Sequence, residues 1–151
     1  MMKQVATLLT CSVITLASPI SWACSYDGLF SNPFSESYPG ALDVSIATQK
    51  ALRAQSIQLP EKLDGAQGLR RASWWLNLMV DIYPELPSGT YVYLVDRQLW
   101  SQRSEQSMVV HVTPPPQGVK VVQLSEAALH NLISNQISLE QARELGLLTE
   151  S

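Results

Sequence analysis

Cys24, Met108, His111 and His130 are the side chains of this 151-residue chain that could hold a soft or borderline metal ion. Copper and its neighbours select thiolate, thioether and imidazole. A cut after Ala23 would add the amino group of Cys24 as a further donor. The spacing does not spell a built site. Met108 and His111 stand three apart in the strand-like run SMVVHVT (107–113), so they point to opposite faces. His130 follows Leu129 in a helical run, and no HExxH-type spacing is present. These four are therefore weak metal candidates. The expectation is a packed Met108, a hydrogen-bonded His111 and no cofactor.

A hydrolase would need a nucleophile, a base and an orienting acid. Ser107, His111 and Asp96 can be drawn together on adjacent strands, but many small domains permit such a drawing. No GxSxG elbow, P-loop or GxGxxG accompanies them. The reading is therefore non-catalytic.

Aromatic residues carry more weight. Trp74 and Trp75 point about 100° apart on a helix, so both are not expected to be wholly buried. Trp100 closes a strand. Trp74, Trp75, Met79, Tyr91 and Trp100 form the candidate surface for an apolar small molecule or an envelope protein. Such a groove would lie between the second helix and the sheet.

The elements that must position them follow from period and punctuation. Residues 24–40 (CSYDGLFSNPFSESYPG) hold no apolar period and read as an irregular arm. Its rings, Tyr26, Phe30, Phe34 and Tyr38, are expected to pack onto the body. Residues 41–55 read as a helix whose inward period is Leu42, Ile46, Gln49 and Leu52-Arg53, with Ala47, Ala51 and Ala54 widening the buried stripe. A second helix runs over 67–83 and stops at Pro84. Strands are expected at 90–99, 107–113 and 118–124, with Pro114-Pro115-Pro116 as a stiff connector. Ser125 caps a third helix. Ser138 and Gln141 spell a capping box for a fourth, and Gly146 ends it. Leu147-Leu148 is expected to fold back onto the preceding turn. The fold class is α+β: a short, mainly antiparallel sheet of about three strands, with helices on one face. Two helices precede the sheet and two follow it. Residues 41–151 make one domain.

The compartment comes from the start of the chain. Lys3 precedes the uncharged run 5–17 and Pro19, and small residues stand three before and one before Cys24. That is the layout of a bacterial secretory signal peptide over residues 1–23, cut after Ala23. The uncharged run is shorter than the roughly 20 residues a membrane span needs. A periplasmic or secreted protein with no span after cleavage is expected. Lipidation at Cys24 is the alternative, but a lipobox wants an aliphatic where Ser21 stands and a small residue where Trp22 stands.

Cleavage would leave 9 basic against 13 acidic side chains, a net −4. A negative domain without a basic stripe argues against nucleic acid and against anionic lipid surfaces. Cys11 would leave with the leader, so no internal disulfide and no CxxC chemistry are expected. Stability must come from a packed core, for which 46% apolar residues suffice.

The C-terminal third also resembles a known family. The run VVQLSEAAL (121–129), LISNQIS (132–138), Gln141-Ala142 and Gly146-Leu147-Leu148 is similar to the end of sterol-carrier-protein-2-like domains. There a last strand leads into two helices separated by a short break. The resemblance spans about 30 residues and implies an apolar ligand held between sheet and helices. This chain has Asn135 where that family has glycine, and three expected strands where it has about five.

Overall fold

A computed structural model describes residues 24–27 and 37–151 of the chain. The expected leader, residues 1–23, and Phe30 and Phe34 of the arm lie outside the described residues. In chain order come a 3₁₀ turn (Ser25–Asp27), α1 (Ala41–Arg53), α2 (Gly65–Ile82), β1 (Tyr91–Leu94), β2 (Leu99–Arg103), β3 (Met108–Val110), β4 (Val121–Leu124), α3 (Glu126–Ile133), α4 (Leu139–Glu144) and β5 (Leu148–Glu150). The α+β class and two helices on either side of the first four strands are as expected.

The sheet differs from the expectation. It has five strands in the order β3-β2-β1-β4-β5 and is mixed, because β1 and β4 run parallel. The other three pairings are antiparallel. The expected strand at 90–99 is a hairpin's first arm plus its turn. Val95 extends the apolar run past the end of β1, and the turn is closed by Gln98 at φ 50 rather than by glycine. The second arm, Leu-Trp-Ser-Gln-Arg, is too polar to advertise a strand. At the other edge, β5 follows Gly146 (φ +71) and pairs with β4. A three-residue strand defined only by its neighbour has no period of its own.

The link over 111–120 carries the chain from β3 past two strands to the open side of β1. Three strand spacings are about 14 Å. Pro114, Pro115 and Pro116 stiffen this link.

Strand alternation sorts the core into two clusters. Val92, Leu94, Leu99, Met108, Val122 and Leu124 face α2 and α3. Tyr93, Trp100 and Val121 face the other way, under Tyr38 and the first turn of α1. Helices therefore cover both faces, which corrects the one-face arrangement. On α2 the buried residues Gly68, Ala72, Trp75, Leu76, Met79 and Val80 recur at the helical period. Gly68 is required there. A Cβ would meet the Leu63 carbonyl and stand 2.7 Å from Cε1 of Tyr26.

Helix α1 departs most from expectation. It buries Ala41, Val44, Thr48 and Ala51. Its large residues Leu42 and Ile46 point outward, each 44% exposed. Close approach to the sheet selects the small side chains for the inner face. Thr48 strengthens that contact by donating to the Val44 carbonyl at 2.8 Å, and its Oγ1 lies at hydrogen-bonding distance, 2.9 Å, from Ser125 Oγ.

Candidate binding groove

The outward face of α1 borders a groove of about 560 Å³. Its floor and walls include Leu42, Ile46, Leu52, Leu59, Val95 and Ala127, with Lys50, Arg53 and Asp96 among the polar residues. Leu59, 73% exposed, projects from the link between α1 and α2. The volume lies within the range of small-molecule sites, and the lining is mixed, with Ser45, Thr48, Gln49 and Gln98 among the apolar side chains.

The opposite wall is the β1–β2 turn, residues 95–98, and it is held from several sides. Arg97 donates from Nε to Glu126 Oε2 at 2.7 Å and from Nη1 to Asp64 Oδ1 at 3.2 Å. Its backbone carbonyl accepts from Ser25 N at 2.9 Å. Its guanidinium lies 4.7 Å from the centre of the Tyr26 ring. Glu126 is buried and also accepts from Tyr26 at 2.9 Å and Arg71 at 3.0 Å. Burial, and then the charge of Glu126, push the Tyr26 phenol well above its ordinary range, so it stays a neutral donor. The hydrogen bond from Arg97 leads in pulling Asp64 below the usual carboxylate range.

Asp96 caps α3 by accepting from Glu126 N at 3.0 Å. It lies where the groove meets a second hollow of about 290 Å³, and it borders both. Lost hydration between these walls is the chief cause pushing its carboxyl up to about 6; the Glu126 charge adds to the rise and the Glu126 N–H opposes it. Its outer edge is exposed, admits water and works against that rise.

The five aromatic and methionine candidates do not share one surface. Trp75 and Met79 are buried on α2 in the larger core cluster. Tyr91 and Trp100 lie across the sheet in the smaller one, where Trp100 stacks on Tyr93 at 4.2 Å. Trp74 is 61% exposed on α2. None of the five borders the α1 groove.

The metal candidates are also distributed. Cys24 is buried, with Sγ 3.6 Å from His111 Nε2. His111 turns out of β3 at φ 61, a conformation histidine tolerates better than most residues. Met108 is core, and His130 packs on Trp75 at 5.1 Å. Among the described residues no three His, Cys, Asp or Glu side chains group as metal ligands. Among the described residues no hydrogen bond joins Ser107, His111 and Asp96: Asp96 accepts from Glu126 N, Ser107 bonds to Ser104 at 2.9 Å and His111 faces Cys24. Among the described residues no helix is long and apolar enough to cross a membrane.

No family model, curated protein or solved structure matches the chain. The sequence reading missed the groove because it assigned Leu42 and Ile46 to the core. The missed signal was Ala41, Val44 and Thr48, which with the expected Ala51 offer a closer-packing face.

Proposed function

We propose that this chain is an exported, non-catalytic binding domain that holds an apolar ligand in the groove between α1 and the β1–β2 turn. The observation that carries this reading is α1 itself. A helix that buries alanine and threonine while leaving leucine and isoleucine 44% exposed forgoes about half of the roughly 1.5–3 kcal/mol that full burial of each would give. Leu42, Ile46 and Leu59 meet in one concavity, so a ligand seated there would recover that burial. The resemblance of the C-terminal third implies the same ligand chemistry.

Export by a plain cut is supported over lipidation by the 1% exposure of Cys24. A thioether-linked lipid needs its sulfur at the surface. Intact mass of protein from the cell envelope should give a chain beginning at Cys24 without a lipid adduct.

Native mass spectrometry of the protein isolated from its host tests the binding reading. One small apolar molecule should accompany the chain and be lost on denaturation. A bare chain that also takes up no hydrophobic probe would overturn the proposal. A second reading, assembly with another envelope protein, is favoured by Trp74, an exposed indole outside the groove. Partner capture abolished by Trp74→Ala, with the fold intact, would support it.

A further inference from the structure

We infer that the groove takes a free single-chain amphiphile with an anionic head group, received by Lys50 and Arg53. This rests on the binding reading above and names the ligand class for the same groove.

The shape points to a chain. The outward stripe of α1 from Leu42 to Arg53 runs about 16 Å at 1.5 Å per residue. With Leu59 and Val95 beside it, Leu42, Ile46 and Leu52 give this track an apolar stripe, edged by Ser45, Gln49 and Gln98, along which an extended hydrocarbon can lie. The charges sit toward one end of it. Lys50 and Arg53 are three apart, on one side of the last turn of α1, and both line the groove. Among the described residues neither makes an ion pair, whereas Lys62, Arg71, Arg97, Lys120 and Arg143 all do; Arg70 and Arg103 make none either, but they do not line the groove. A cation in the last turn suits the helix dipole. That accounts for charge at this helix end, but not for two unanswered cations at the end of an apolar track.

Asp96 is the acid among the described lining residues. It disfavours an anionic head at the turn and so orients the ligand. A bilayer is the wrong source for this head group. Cut after Ala23 the chain carries 9 basic against 13 acidic side chains, a net −4 that disfavours anionic lipid surfaces and favours monomeric amphiphile as the ligand.

The test compares decanoate, 1-decanol and decyltrimethylammonium, each below its micelle concentration, by calorimetry and by amide-shift mapping at pH 8. Decanoate should bind about threefold to tenfold tighter than decanol, and decyltrimethylammonium most weakly. Salt should narrow the spread. The double variant Lys50→Glu, Arg53→Glu should lose the preference for decanoate while keeping its affinity for decanol. Both residues are exposed, so the fold should persist. Equal affinities for all three amphiphiles, or an unchanged preference in the double variant, would overturn the head-group assignment and leave the apolar groove standing. No binding of any of them would overturn both. Binding of phosphatidylglycerol vesicles in place of monomers, or of an acidic amphipathic peptide alone, would overturn the assignment in favour of that other occupant.

Discussion

Glu126 joins three separate parts of the chain. It accepts from Tyr26 at the N-terminal turn, Arg71 on α2 and Arg97 in the hairpin turn. Removing one partner from a buried ion pair leaves charge without compensation, at a cost of about 3–5 kcal/mol. Glu126→Gln should lose stability on that scale in urea unfolding; a loss below about 1 kcal/mol would mean the network is solvated.

Asp96 behaves in the opposite sense. Its folded pKa, about 6, stands above the ordinary carboxylate value. Its contribution is therefore fully present below that ordinary value, and it is lost as pH rises through about 6. Asp96→Asn keeps an oxygen for the Glu126 N–H and removes the charge. Its melting temperature should gain on wild type as pH rises from 4 to 7, and a constant difference would contradict the raised pKa. Neither role was legible in sequence. Asp96 and Arg97 read as part of the expected strand 90–99, because the partners that fix their turn lie about 30 residues away or more.

At the scale of elements, local signals were readable where the chain itself supplied the hydrogen bonds. Ser138 accepts from Gln141 N at 3.1 Å and Gln141 Oε1 accepts from Ser138 N at 2.9 Å, as the capping-box spacing requires. Ser138→Ala should cost about 1 kcal/mol in chemical unfolding. Elements fixed by neighbours were not readable. β5 depends on β4, and its Glu150 is tied to Tyr83 at 2.6 Å, Arg143 at 2.9 Å and Lys120 at 3.0 Å. The Tyr83 hydrogen bond leads in pushing the Glu150 carboxyl down to about 2. Because this folded pKa is depressed, its stabilisation is present above the ordinary value of about 4.3 and is lost as pH falls toward about 2. Glu150→Gln should flatten the acid limb of a melting-temperature profile between pH 4.5 and 2.

Gly68 belongs to the same scale. Gly68→Ala has no room between the Leu63 carbonyl and the Tyr26 ring. It should release Tyr26 and unfold at lower denaturant than Ser138→Ala.

For the whole molecule, class and helix count came through because helical period and caps are local. The mixed sheet did not, since parallel pairing of β1 and β4 across a proline link leaves no mark on either strand. The groove arises at this scale too. Period alone showed that α1 has an apolar side, but only close packing against the sheet decides that alanines face inward and Leu42 and Ile46 outward.

The most direct measurement is fluorescence titration with a neutral solvatochromic dye on wild type, Ile46→Asp and Trp74→Ala. Wild type should bind one dye, Ile46→Asp should weaken it about tenfold at an unchanged melting temperature, and Trp74→Ala should match wild type. Dye uptake untouched by Ile46→Asp, or abolished by Trp74→Ala, would contradict the account.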